Sequence, residues 1–221
     1  TLDVSIVRND SGILSVLGVP AGNPNLGGKD WDEALVNHVL KKQGLNLSSF
    51  SRSSKEWASL MKTAEEVKID LTDIDETEFT IPIPPFNVVS ILRSEFETVT
   101  RNLVNKAIDI VDKAIANAGN PVINRFVLVG GSSNMPMIKR SLEQKYSLKY
   151  AIGRATKDWL IVSDPHQAIA KGAAKYAGVL SGSIKNNIKI EDKTTHSYGF
   201  KCYKQRTDTL IVLNEILSSD P

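Results

Sequence analysis

The chain has 221 residues, 41% hydrophobic and 24% charged, with a formal net charge of +2 at pH 7. That is length for one large domain or two small ones, and apolar content enough for a packed core. Its dispersed lysines exclude the concentrated basic face of a nucleic-acid binder, and its single cysteine, Cys202, excludes an internal disulfide or a cysteine-based metal site. No apolar run is long enough to span a bilayer and no signal peptide is visible, so no membrane is expected and a reducing, cytoplasmic setting is.

Residues 2–8 and 13–19 read as two strands joined at Asn9-Asp10-Ser11-Gly12, a hairpin signal. The alternation starts at Leu2 without a cap before it, which marks Thr1 as an internal residue of a longer parent. Gly22, Pro24, Gly27 and Gly28 then break regular structure. Residues 30–43 are helical, with Leu35, Val36, Val39 and Leu40 on one face and Gly44 as the stop. A second helix covers 55–70, where Trp57, Leu60, Met61, Ala64, Val67 and Lys68 recur at helical spacing. A strand is expected over 78–83, running into Pro82, Pro84 and Pro85, and a long helix over 93–118, ended by Gly119. Residues 125–129 read as a buried strand of the parallel type, 137–146 as an amphipathic helix and 159–162 as a short strand. Asp164-Pro165 starts a helix running to about Leu180, in which Gly172, flanked by alanines, suits close helix packing. After a polar connector, 197–203 and 209–216 look like two strands of a different, β-rich unit.

The candidate site centres on Val129-Gly130-Gly131-Ser132-Ser133-Asn134-Met135-Pro136. Paired glycines between a strand and a helix let backbone approach a ligand closely, and the helix start adds unpaired N–H groups. A plain structural turn has the same composition. Glu65 and Lys68 stand i, i+3 on one helix face, either as a solvated pair contributing about 0.3–0.5 kcal/mol or as two groups reaching one ligand. The three histidines do not form a metal site, since His38 falls within a helix, His166 at a helix start and His196 near a strand. Trp31 and Trp57 fall at helical positions that suit packing.

Several separated segments together resemble one family, in order. Thr1-Leu2-Asp3-Val4-Ser5 is similar to the end of the second phosphate loop of the 70-kilodalton heat-shock (DnaK-type) chaperones. Leu26-Gly27-Gly28-Lys29-Asp30-Trp31-Asp32 resembles that family's Leu-Gly-Gly-Glu-Asp-Phe-Asp, and Thr63-Ala64-Glu65-Glu66-Val67-Lys68 its adenosine-contacting helix. The loop at Gly130 resembles Val-Gly-Gly-Ser-Thr-Arg-Ile-Pro, and Asp164-Pro165-His166-Gln167-Ala168 resembles Asn-Pro-Asp-Glu-Ala.

The resemblance implies an α/β fold, one lobe of an actin-like (ribonuclease H-like) ATPase. Residues 1–25 and 99–182 would form its lower subdomain and 26–98 an inserted upper α+β subdomain. Residues 183–193 would be the interdomain linker and 194–221 the truncated start of a substrate-binding domain. It implies ATP or ADP with Mg²⁺ as ligands. Gly27, Gly28, Glu65, Lys68, Gly130, Gly131, Ser132, Asn134 and His166 would line the nucleotide, with Glu65 on a ribose hydroxyl. Thr1 would face the γ-phosphate, and Asp3 the metal through water, as suits an ion that dehydrates reluctantly. Implied partners are unfolded peptides, a J-domain cochaperone and a nucleotide exchange factor on the upper subdomain. The alternative is a regulatory or exchange-factor-like relative that binds nucleotide with negligible turnover. The chain also departs from the pattern. Ile69 and Asn134 stand where the family has arginines, and Ile188-Lys189-Ile190-Glu191-Asp192 replaces a leucine-rich linker. Two lost cation–π contacts of ~0.5–2 kcal/mol each predict nucleotide binding weaker by roughly one to two orders of magnitude. The fragment alone is expected to be inactive, because phosphoryl transfer needs both lobes to position the reactants.

Overall fold

The computed structural model describes residues 1–84, 86–184, 189–191, 198–204 and 207–213. Its first two strands, β1 (Leu2–Asp10) and β2 (Ile13–Asn23), are antiparallel, with Asp10 facing Ile13. The turn between them places Ser11 at φ 53° and Gly12 at φ 100°, the left-handed pair that a two-residue hairpin requires. Asn9 Oδ1 accepts from Gly12 N at 3.1 Å.

Helix α1 (Gly28–Lys42) buries Trp31, Asp32, Leu35, Val36, Val39 and Leu40. Asp30 Oδ2 accepts from Gly27 N at 2.7 Å, which satisfies the chain at the helix start. Gly44, at φ +69°, ends it as expected. Helix α2 (Lys55–Asp73) is capped by Ser54 Oγ, which accepts from Trp57 N at 3.0 Å. Its buried stripe is Trp57, Leu60, Ala64, Val67, Lys68 and Leu71. Both tryptophans expected to pack do so.

Strand β3 (Glu76–Thr80) is antiparallel to β4 (Val88–Leu92), with Phe79 opposite Val89. The strand expected to reach 83 therefore stops at Thr80. Pro82 and Pro84 have no N–H to donate to a ladder, so they belong to the loop that returns the chain. β4 was not foreseen, because its five residues merge in sequence with the start of the long helix α3 (Arg93–Asn117).

α3 serves two apolar clusters. Phe96 and Val104 join the residues of α1, α2, β3 and β4, together with Met135 and Met137. Ile115 joins Ile123, Leu142, Tyr146, Ala151, Trp159 and Leu160, and Ile108 touches both clusters. Strand β5 (Phe126–Leu128) leads to α4 (Pro136–Tyr150), then a short turn of helix α5 (Thr156–Trp159) and β6 (Leu160–Val162), which runs parallel to β5. Phe126 stacks on Tyr146 at 5.1 Å and meets Trp159 edge-on at 5.6 Å.

Helix α6 (Ala168–Leu180) buries none of its residues. The close packing expected at Gly172 is absent, since a Cβ there would meet nothing within 4 Å. β7 (Lys189–Glu191) lies parallel to β2 beside Ile13–Ser15. It occupies part of the expected linker, whose Ile188 and Asp192 lie outside the described residues. The tail forms an antiparallel hairpin, β8 (Tyr198–Lys204) with β9 (Thr207–Leu213). Residues 194–197, the beginning of the expected substrate-binding domain, lie outside the described residues.

The tightest backbone approach is at Gly18, φ +65°, where a Cβ would run into the Asn117 carbonyl at the end of α3. Asn117 Nδ2 also donates to Val19 O at 2.9 Å. Gly18→Ala is expected to destabilise the fold by at least about 2 kcal/mol, from strain plus displaced backbone. Gly44→Ala faces open space and should cost only about 1 kcal/mol. Urea unfolding of the two variants checks the difference.

Candidate functional site

Three segments far apart in sequence meet at the start of α1. A Cβ on Gly28 would stand 3.3 Å from Lys68 Nζ and 3.2 Å from Ser132 Oγ. A Cβ on Gly27 would stand 2.5 Å from the backbone nitrogen of Thr1. A side chain at Gly27 would displace the Thr1 backbone, and one at Gly28 would press on the lysine and the serine, which would have to give by a few tenths of an ångström.

Lys68 is 9% exposed and Asp32 is 6% exposed. Their charged atoms lie 2.7 Å apart. Lys68 Nζ also donates to Gly28 O at 3.4 Å. Burial pushes the Asp32 carboxyl above the usual carboxylate range; Lys68 opposes this, while Glu65 and Asp30 add to it. The surface Glu65–Lys68 pair considered from the sequence is thus not formed. Glu65 stays exposed on α2, and the lysine turns inward to α1.

The glycine loop has a distinct geometry. Gly130 sits at φ 93°, ψ 152°, a conformation open to glycine alone, and its N–H donates to Pro165 O at 2.9 Å. A 3₁₀ turn, Gly131–Asn134, follows, closed by Ser133 N donating to Gly130 O at 3.0 Å. Ser133 Oγ donates to Val129 O at 2.8 Å, leaving Ser132 to face Gly28. His166 stands beside Gly131, its Cε1 3.6 Å from where a Cβ would be. The expected helix at His166 begins two residues later, at Ala168, because Asp164 at φ 36° turns the chain first. Asn134 and Ile69 are exposed.

The structure thus brings Thr1, Gly27, Gly28, Lys68 and Ser132 together, and joins Gly130, Gly131 and His166 to them through one loop. Asp3 is exposed; its Oδ2 accepts from Thr1 Oγ1 at 3.3 Å and its Oδ1 lies against Gly22. A single exposed carboxylate suits an ion that keeps most of its water. Among the described residues, no three or more His, Cys, Asp or Glu side chains are grouped to hold a metal directly. No helix among them is long and apolar enough to cross a membrane. A groove of about 520 Å³ between α1 and α3, lined by Asn37, His38, Lys41 and Asn102 among others, contains none of the expected site residues.

A model of the Hsp70 protein family matches residues 1–220. The chain belongs to the Hsp70 family. That membership makes it part of a family of chaperone-type ATPases, whose members bind ATP or ADP with Mg²⁺ and work with peptide substrates, J-domain proteins and exchange factors. The mixed α/β architecture is compatible with an actin-like ATPase lobe.

Sequence reasoning on this Hsp70 chain did not single out Asp32, the ion-pair partner of Lys68. Its signal was a carboxylate at a position that, with Trp31, Leu35 and Val36, falls on the buried stripe of α1. Lys68 breaks the stripe of α2 in the same way.

Removing the lysine isolates a buried charge. Lys68→Met is expected to lose about 3–5 kcal/mol of stability near pH 7, because Asp32 is left buried without its cation. A carboxyl whose folded pKa lies above its unfolded one makes folding take up a proton. Its favourable contribution holds below the unfolded pKa and is lost as pH rises through the folded one. Lowering the pH toward about 5 should therefore narrow the gap between variant and wild type, read by urea unfolding at several pH values.

Proposed function

We propose that this chain is the second lobe of the actin-like ATPase domain of a DnaK-type chaperone and carries the adenosine side of its nucleotide site. The observation that carries the reading is the cradle at Gly28, bounded by Lys68 Nζ on one side and Ser132 Oγ on the other. One cation and one hydroxyl brought to a glycine backbone from separate segments suit the ring edge and ribose hydroxyls of a nucleoside. In this reading Ser132 bonds the base edge, Glu65 accepts from a ribose hydroxyl and Lys68 donates to the nucleoside. Gly27, Gly130, Gly131, Asn134 and His166 complete the wall. Thr1 faces the terminal phosphate, and Asp3 holds Mg²⁺ through water.

A ligand clamped between two lobes leaves each half of its site as open surface, which accounts for a cradle without a deep hollow. Residues 1–25 and 99–182 then form the lower subdomain, 26–98 the upper one, 183–193 the linker and 194–221 the start of the peptide-binding domain. Slow hydrolysis in the full-length protein would control peptide binding, with a J-domain protein and an exchange factor as partners and the cytoplasm as the setting. A second reading, a nucleotide-binding regulator with negligible turnover, is favoured by Ile69, which is 57% exposed on α2 where an adenine-stacking cation would stand.

Both readings are tested by ATP turnover of the full-length protein, with and without a J-domain protein and an unfolded peptide. Stimulated slow turnover supports the chaperone; binding without turnover supports the regulator; no ATP binding overturns both. The 221-residue chain by itself is expected to show no turnover. Ile69→Arg is expected to tighten ATP binding by about 2- to 30-fold, the equivalent of one restored cation–π contact. Because Ile69 is exposed, this variant should fold as wild type, and calorimetric titration with ATP reads the gain.

A further inference from the structure

We infer that Asp32 is a positioning residue of the nucleotide site, holding the Lys68 ammonium against Gly28 and opposite Ser132. The inference rests on the nucleotide reading above and adds to it a residue on α1.

Three observations support it. First, Asp32 is the only charged group bonded to Lys68 among the described residues, at 2.7 Å, and both side chains are nearly closed to solvent. A lysine has four rotatable carbons and three donors, and without a fixed acceptor its ammonium has no preferred place. Here the ammonium sits 2.7 Å from Asp32 Oδ1 in an ion pair and reaches the Gly28 carbonyl at 3.4 Å, so two groups on α1 fix its place. Second, the two residues stand on different helices, and α1 also carries the glycine pair. Asp32 lies one helical turn after Gly28, so the lysine is set relative to the cradle itself and not merely to α2.

Third, the pair is a poor device for stability. Burial holds the Asp32 carboxyl above its ordinary range even with the lysine beside it. Replacing a buried ion pair by apolar side chains is often neutral or stabilising. The surroundings would accept such a replacement, since Trp31, Leu35, Val67 and Leu71 belong to one apolar cluster. A charged pair kept at that position fits a task that an apolar pair cannot perform.

The test is calorimetric titration of the full-length protein with ATP, beside thermal melting, for wild type, Asp32→Asn, Asp32→Glu, Lys68→Met and the Asp32→Asn/Lys68→Met double variant. Asp32→Asn should weaken ATP binding by about tenfold or more, the loss of one well-placed charged donor. The same change made on Lys68→Met should weaken ATP binding no further, because Asp32 acts on the ligand only through the lysine. The double variant should melt higher than Lys68→Met yet bind ATP no better. Asp32→Glu keeps the charge but moves it by one methylene; it should fold and still bind several-fold more weakly. This variant decides the matter if Asp32→Asn does not fold. Wild-type affinity in Asp32→Glu, or an effect of Asp32→Asn that persists without Lys68, overturns the role of Asp32 alone. Absence of ATP binding by the wild-type protein overturns the nucleotide reading, and this role with it.

Discussion

The site depends on Met135 being buried in a core that most of its own segment does not join. β5 and the greater part of α4 pack on Trp159, Tyr146 and Ile115, whereas Met135 and Met137 enter the cluster built by α1 and α2. Met135 follows the 3₁₀ turn directly, so its burial holds Ser132 against the start of α1. Fully burying one such side chain contributes about 1.5–3 kcal/mol, comparable to the turn's few hydrogen bonds together. α3 makes this possible, since one rigid helix supplies Phe96 and Val104 to one cluster and Ile115 to the other. The two clusters are therefore fixed relative to each other along a single axis, and the glycine pair and the glycine loop inherit that precision.

The polar chemistry is set into this apolar frame at a cost. Asp32 and Lys68 occupy stripe positions where leucine or methionine would pack, and their mutual attraction offsets only part of the desolvation. An alanine at Gly28 would press on the lysine and Ser132. Gly130 occupies a backbone conformation available to no other residue, which lets the loop pass under Pro165 and bring His166 alongside Gly131. These departures from ordinary packing or backbone preference fall at one place, as is common where a ligand is to be received.

Membership of the Hsp70 family joins these local observations to a chaperone-type ATPase family. Within that family the chain has its own character. On the nucleotide reading, exposed Ile69 and exposed Asn134 would present neutral side chains where the family has arginines, and recognition of a nucleoside would rest on Lys68, Ser132 and Glu65. β7 runs beside β2 although Lys189 alternates with Ile190, because ladder hydrogen bonds are made by backbone and are indifferent to side-chain identity.

The amino-acid sequence by itself determined the local pieces: the hairpin turn at Ser11-Gly12, the helices of α1 to α4, the stops at Gly44 and Gly119, and the glycine loop. Each is written in spacing within a few residues, where backbone sterics and capping act. Tertiary structure alone decided the rest. β4 emerged because Val89 and Ile91 could pair with β3, though nothing in their spacing separates them from the following helix. Gly172 was left unpacked because α6 buries no face in the described chain. Lys68 turned inward because Asp32 waited on a neighbouring helix; a charge embedded in an apolar stripe announces a partner, but its identity is set only when two helices pack. Long-range contacts of this kind depend on which faces meet, and that is a property of the assembled core, not of any short stretch of residues.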